Sequence, residues 1–273
     1  MVTMKIGVFD SGLGGLVIAH ALVSKMPQYD YVYLGDTARA PYGDKSKRAI
    51  LANTRQGMEV LFKKDCKLVI VACNSASADA LRKIQQEFIP AHWPDRKALG
   101  VLIPSAEAAV RGGKRVGVIC TQATADSGAF NREINKLSNS VQVFHKPAPM
   151  LVENIEKGEQ KEAHKNLSRY LSDLTAQSID TLILGCTHYP LLKNKISELV
   201  GKGVNVISQD EIVPAKLQDY LARHSEIVGD LSTGASIEFY VSKITPTSQR
   251  LANKLFGQSV ELEQIVIDGQ YGR

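Results

Sequence analysis

The chain has 273 residues, 44% apolar and 22% charged, and its 33 Lys and Arg against 28 Asp and Glu leave a formal charge of +5. This is the composition of a folded chain of one large or two small domains, and it excludes a disordered, collagenous or disulfide-stapled miniature. The small positive excess gives no footing for nucleic-acid binding, and basic clusters such as 45–48 and 63–67 read as solvated helix faces.

The first residues, Met1-Val-Thr-Met-Lys5, lack the apolar core and cleavage site of a secretory signal. The longest apolar run, Leu68–Cys73, is far short of the roughly 18 residues of a membrane span. A cytoplasmic protein without membrane contact is therefore expected. A strand over Lys5–Phe9 is followed by a helix over Leu16–Lys25, then a strand over Tyr31–Leu34, a helix over Ser46–Lys63, a strand over Leu68–Ala72 and a helix over Ala76–Phe88. Glu87–Lys97, with two prolines and the single Trp, reads as a linker. Beyond it come strands at Val116–Ile119, Val141–Phe144, Thr181–Leu184 and Val204–Ile207, with helices at Glu159–Thr175, Leu191–Leu199 and Glu211–Arg223. The tail adds Ile237–Val241, Thr247–Phe256 and Leu262–Ile267, strand–helix–strand, which can complete the first unit's sheet.

Nearly continuous Val, Ile and Leu strands alternating with amphipathic helices predict an α/β fold with doubly wound parallel sheets. The chain also resembles itself. Lys5-Ile-Gly-Val-Phe-Asp-Ser11 aligns with Arg115-Val-Gly-Val-Ile-Cys-Thr121, and Leu68-Val-Ile-Val-Ala-Cys-Asn74 with Thr181-Leu-Ile-Leu-Gly-Cys-Thr187, at nearly the same spacing. Two pseudo-symmetric domains follow, residues 1–95 plus 211–273 and residues 96–210, with a second crossing near Ser208–Pro214 and the active site between them.

Asp10-Ser-Gly-Leu-Gly-Gly15 opens a helix after a strand, as an anion seat does. It departs from the dinucleotide fingerprint, because Val17 stands where the third glycine belongs. Asp10 is then a base, a cation partner or a helix cap. Cys73 and Cys186 each follow a strand at the ligand edge of an open sheet, beside Asn74 and Ser75 in one case and Thr187 and His188 in the other. In a reducing cytoplasm such thiols are core filler or chemistry. A thiol titrates near enough to neutrality for a helix N-terminus or an adjacent histidine to supply the thiolate. One thiolate and one thiol on opposite faces of a carbon make a base and an acid, which is the equipment for racemisation or epimerisation. Cys66 and Cys120 lack matched partners and read as bystanders, and the remaining histidines show no metal-site spacing; a zinc site could draw only on Cys73, Cys186 and His188. No motif for pyridoxal phosphate is visible.

The runs Gly7-Val-Phe-Asp10-Ser-Gly-Leu-Gly-Gly15, Pro41-Tyr-Gly43, Ala72-Cys-Asn-Ser-Ala-Ser77 and Gly185-Cys-Thr-His-Tyr-Pro190 together resemble the bacterial glutamate racemases, which are cofactor-independent two-thiol enzymes. The resemblance spans nearly the whole chain, and Thr-His-Tyr-Pro after Cys186 favours glutamate over aspartate or hydantoin as substrate. It implies that Cys73 takes the α-proton of D-glutamate and Cys186 that of L-glutamate, assisted by Asp10 and His188. It further implies that Ser11, Pro41, Tyr42, Gly43, Asn74, Ser75, Thr121 and Thr187 hold the substrate, and that Glu156, with Glu153 as competitor, supports the His188 side. No metal, no cofactor, a homodimer and supply of D-glutamate for peptidoglycan belong to the same expectation. Ser75 replaces the usual Thr and Ala148 a common Cys. The chain begins almost at its first strand, without the extension of members activated by a cell-wall precursor, so that regulation is not expected. An aspartate racemase of this architecture is the nearest rival. A hydrolase using Cys186, His188 and Asp10, or a non-enzymatic binding protein, would leave Cys73 without work.

Overall fold

The computed structural model describes residues 3–267. In chain order its main elements are β1 (Lys5–Asp10), α1 (Leu16–Lys25), β2 (Tyr31–Gly35), α2 (Lys47–Lys63), β3 (Cys66–Val71), α3 (Asn74–Asp79) and β4 (Lys97–Gly100). There follow α4 (Leu102–Val110), β5 (Arg115–Cys120), α5 (Gln122–Ser127), α6 (Ala129–Leu137), β6 (Gln142–Pro147), α7 (Pro149–Lys157), α8 (Gln160–Thr175) and β7 (Thr181–Gly185). The described residues end with α9 (Lys193–Val200), β8 (Asn205–Ile207), α10 (Gln209–Arg223), β9 (Ile237–Val241), α11 (Ser248–Phe256) and β10 (Leu262–Gln264).

The strands form two parallel sheets, ordered β10-β9-β2-β1-β3-β4 and β6-β5-β7-β8. Without the tail strands β9 and β10, the first order maps onto the second strand for strand, so the sequence repeat is a repeat of architecture. The tail extends the first sheet beyond β2 through the pairing of β2 with β9. In each sheet the order reverses beside the first strand of the unit, β1 or β5, and open α/β sheets bind ligands in the crevice at such carboxyl ends.

Burial on both faces explains why these strands read as unbroken apolar runs. The two-residue period sends Ile6 and Val8 into a core shared with Leu16, Ala19 and Leu22 of α1, while Phe9, Val69 and Val71 meet Ile50, Met58 and Phe62 of α2 on the other face. Gly57 of α2 leaves room for the Phe9 ring, which a Cβ there would meet at 2.2 Å. In the second sheet Ile119, Leu182 and Leu184 pack under α8 and α9. The core containing α1 continues into the second unit, because α4 and α10 contribute Leu102, Ala106, Val213 and Leu217 beside Val116 and Val118 of β5. The two units thus share apolar packing on the side where the chain crosses between them.

The segment expected to be a linker is structured. Ile84–Phe88 is π-helical and Ile89–His92 α-helical, Pro90 is accommodated in the first turn of the latter, and Trp93 packs against Phe62 with ring centroids 5.5 Å apart and planes tilted by 42°. Lys97–Gly100 then pairs with Leu68–Val71 at the edge of the first sheet. The chain therefore leaves the first unit after Gly100, not at residue 95. Two prolines read as a break because each removes an N–H, yet both stand where no ladder bond was required. The helix expected over Ala76–Phe88 begins at Asn74 and is interrupted at Ala80.

Candidate active site

Four strand ends, two from each sheet, bring the chemistry together. Asp10 ends β1, Cys73 lies two residues past β3, Thr121 follows β5 and Cys186 follows β7. These strand ends surround a cavity of about 520 Å³ between the units, lined among others by Ser11, Pro41, Tyr42, Gly43, Cys73, Asn74, Ser75, Thr121, Glu156, Cys186, Thr187 and His188. Asp10 does not line it. It lies behind Ser11 and Gly12, 1% exposed, with its carboxylate accepting the Gly12 N–H at 2.9 Å and the Thr187 hydroxyl at 3.3 Å.

Cys73 caps α3, its Sγ accepting the Ala76 N–H at 3.5 Å, and its thiol donates to the Ser11 hydroxyl at 3.3 Å. A helix N-terminus is expected to favour thiolate, but burial outweighs it. Burial, and after it the Asp10 carboxylate, pushes the Cys73 thiol up to about 12, against the pull of Ser11 and the Ala76 N–H. At neutral pH Cys73 therefore keeps its proton. Burial also raises Asp10, opposed by His188 and by the N–H groups of Gly12 and Gly15.

The second thiol has a different partner. His188 Nδ1 is 3.8 Å from Cys186 Sγ, and Nε2 meets Glu156 Oε1 at 2.9 Å. Burial alone would lower the His188 pKa, but Cys186 and Glu156 outweigh it and raise it to about 10, so the ring is an imidazolium at neutral pH. Of the two carboxylates on α7, Glu156 reaches His188, whereas Glu153 bonds Lys157 at 2.6 Å. The hydrolase arrangement expected of Cys186, His188 and Asp10 is not assembled, since Asp10 bonds Gly12 and Thr187 and leaves the imidazole to Glu156.

Comparison with known proteins gives the family. The Asp/Glu/Hydantoin racemase family model matches residues 17–212. The glutamate racemase of Aquifex aeolicus (strain VF5) is 38% identical over 262 residues, covering 94% of this chain and 96% of the relative. The chain belongs to the Asp/Glu/hydantoin racemase family. The Geobacter metallireducens glutamate racemase is likewise 38% identical, over 92% of each chain. Among solved structures, a glutamate racemase isoform from Bacillus anthracis superposes with a TM-score of 0.88 at 29% identity, covering 97% of this chain and 98% of its own. The Francisella tularensis glutamate racemase in complex with D-glutamate also gives 0.88, at 30% identity and covering 98% and 99%.

In this racemase-family chain the units meet through short polar contacts around the cavity. Ser75 and Thr121 share a hydrogen bond at 2.9 Å, and the Gly43 carbonyl accepts the Ala123 N–H at 2.9 Å. A Cβ on Gly43 would lie 2.8 Å from Thr121, which is why the loop carries glycine there. Tyr42 is buried, and its hydroxyl donates to Asp36 rather than pointing free into the cavity. Asp36 also accepts from Arg39 Nε at 2.7 Å and from the Ser242 hydroxyl at 2.9 Å, so the tail braces the 40–43 loop.

Cys66 and Cys120 are buried and do not line the cavity, and burial pushes both thiols up. Cys120 lies 4.0 Å from Nδ1 of the half-buried His145. Among the described residues no group of three His, Cys, Asp or Glu side chains is placed to hold a metal, and no helix is long and apolar enough to cross a membrane. The sequence reading missed Asp36, the cavity-lining Val152 and Lys157, and Gln209. Asp36 sits at a strand end with Pro41-Tyr42 close behind, a signal that could have found it; Gln209 had none.

Proposed function

We propose that the chain interconverts L- and D-glutamate without a cofactor, one thiol taking the α-proton from one face while the other delivers its own proton to the opposite face. The observation that carries this reading is one cavity with Cys73 and Cys186 contributed by pseudo-equivalent strand ends of opposite sheets. From L-glutamate, Cys186 as thiolate beside the His188 imidazolium takes the α-proton, so that Cα–H breaks and S–H forms. The freed electron pair passes into the α-carboxylate, and Cys73 delivers its own proton to the opposite face, leaving D-glutamate and a Cys73 thiolate. From D-glutamate the roles exchange. The proton that Cys73 holds at neutral pH suits the first direction. Asp10 assists Cys73, and Glu156 keeps His188 charged beside Cys186.

Ser11, Asn74, Ser75, Thr121 and Thr187 offer hydroxyl and amide groups to the substrate's carboxylates and ammonium, with Pro41, Tyr42 and Gly43 closing one wall. Glutamate is the substrate favoured by the relatives' activities and by the Thr187-His-Tyr-Pro190 run. The D-glutamate then serves peptidoglycan synthesis, in the cytoplasm, and the working form is a homodimer. Proton NMR in D₂O, with optical rotation, tests the reaction on L-glutamate and L-aspartate in turn. Loss of the α-proton with falling rotation for glutamate alone is expected. Equal turnover of aspartate would overturn the substrate assignment, and exchange of neither by folded, reduced protein would overturn the reaction.

A further inference from the structure

Asn74, the residue next to the Cys73 thiol, spends half of its amide on a partner far away in the chain. Its Nδ2 donates to Gln209 Oε1 at 2.8 Å while Gln209 Nε2 donates back to Asn74 Oδ1 at 2.8 Å, a reciprocal amide pair. The second N–H of Gln209 reaches the Ser105 hydroxyl at 3.2 Å, and Ser105 in turn donates to the Val101 carbonyl at 2.8 Å. Asn74, Gln209 and Ser105 are 3%, 1% and 0% exposed, so water does not compete for these bonds.

A primary amide has two N–H donors and a carbonyl with two lone pairs. The reciprocal pair consumes one donor and one acceptor site of Asn74, leaving a single N–H for the cavity that Asn74 lines. It also fixes which end of the amide is nitrogen, since a flipped Asn74 would set donor against donor and acceptor against acceptor. Gln209 is itself anchored, because it is the first residue of α10 and Ser105 stands on α4. Those two helices follow the two crossings between the units.

We infer that Gln209 is a positioning residue for substrate binding, acting by holding the Asn74 amide so that its free N–H faces a substrate carboxylate. The inference rests on the reading of Asn74 as a substrate contact. Gln209→Met, Asn74→Ala and the double variant test it by steady-state racemisation of glutamate, with circular dichroism to establish folding.

Gln209→Met removes the partner while keeping a side chain of similar length. It should raise KM about threefold to tenfold, the worth of one or two neutral hydrogen bonds, with kcat within about twofold. In the Asn74→Ala background the same substitution should have no further effect on KM, because the group it orients is gone. A KM rise that persists undiminished in that background would show Gln209 acting through the helix junction, and would overturn the inference alone. An unchanged KM for Asn74→Ala would overturn it together with the reading of Asn74. Should Gln209→Met fail to fold, Gln209→Asn, which keeps an amide but falls one methylene short, enters the same cycle with the same expectations.

Discussion

The two thiol-bearing units approach each other closely at Gly14, and that approach can be tested by adding one methyl group. A Cβ built on Gly14 would lie 2.5 Å from Cε1 and Nδ1 of His188 and 2.5 Å from Oγ1 of Thr187, where ordinary contact begins at 3.4 Å. About 1 Å must therefore be found. His188 cannot yield it without loosening its bonds to Cys186 at 3.8 Å and Glu156 at 2.9 Å, and Thr187 is tied to Asp10 at 3.3 Å. Gly14→Ala should accordingly part the two loops by about 1 Å. Overpacking of this kind destabilises by about 1–3 kcal/mol, and a misplacement of that size at a reacting group lowers the rate by about 100-fold. Gly12→Ala in the same turn is the stability control, since its Cβ would find nothing closer than Ala40 at 3.8 Å. Its melting temperature should match that of the parent chain. Thermal unfolding and racemisation rates are the assays. A Gly14→Ala protein as stable as Gly12→Ala and turning over within tenfold of the parent would refute the claimed contact.

Glu156→Gln should lower the His188 pKa from about 10, moving the alkaline limb of the kcat/KM profile down by about one pH unit, an effect kept modest because Glu156 is 39% exposed. Because that folded pKa stands above the unfolded value near 6.5, the stability His188 contributes is complete below about 6.5 and lost as pH climbs through about 10, and the variant's stability-versus-pH curve should show this decline about one pH unit lower, since Cys186 still raises the imidazole. Cys73→Ala and Cys186→Ala should each abolish inversion while still washing deuterium from D₂O into one enantiomer, L-glutamate for Cys73→Ala and D-glutamate for Cys186→Ala; NMR of each pure enantiomer reads this out, and inversion by either variant would defeat the two-thiol scheme. Burial would raise Asp30, but donors from Ser232, Ser236 and Gly234 outweigh it and hold its carboxyl at about 2. The depressed pKa supplies stability above the unfolded value near 3.9 that is lost as pH falls through about 2. Asp30→Asn should cost about 1–2 kcal/mol at neutral pH, the difference shrinking toward pH 2 in urea unfolding.

The parallel α/β architecture of two units, and the place of Cys73 and Cys186 just behind strands, were legible in the sequence because they depend on local signals: β-branched runs, and polar groups at fixed distances behind them. The helix α1 was read to its residue bounds, since Gly15 before it and the Met26-Pro27 break after it are both local. Glu87–Lys97 misled because its prolines are local signals whose consequence is tertiary: only the pairing of Leu68–Val71 with Lys97–Gly100 makes the segment's end a strand. On α7 the helical period could not separate Glu153 from Glu156, for residues three apart share a side of a helix. What separates them is Lys157, one turn beyond Glu153, and the distant His188. Gln209 and Asn74 stand 135 positions apart in the chain and belong to no motif, so their pairing exists only in the folded molecule.

The repeat also explains why the two sides of the cavity differ. The alignment that equates Cys73 with Cys186 equates Asp10 with Cys120 and Ser75 with His188, so each thiol's helper has no counterpart in the other unit. Rotation relates the two units, whereas enantiomers are related by reflection, and a symmetric pair of sites would gain nothing from matching the wrong operation. The thermodynamics of racemisation tolerates the asymmetry. Enantiomers have equal free energy in water, so kcat/KM must be the same in both directions whatever the two thiols' surroundings. A carboxylate beside one thiol and an imidazolium beside the other can therefore shift kcat and KM only together. Substitution at Asp10 or at Glu156 should lower kcat/KM equally for L- and D-glutamate, while altering the individual constants differently for the two.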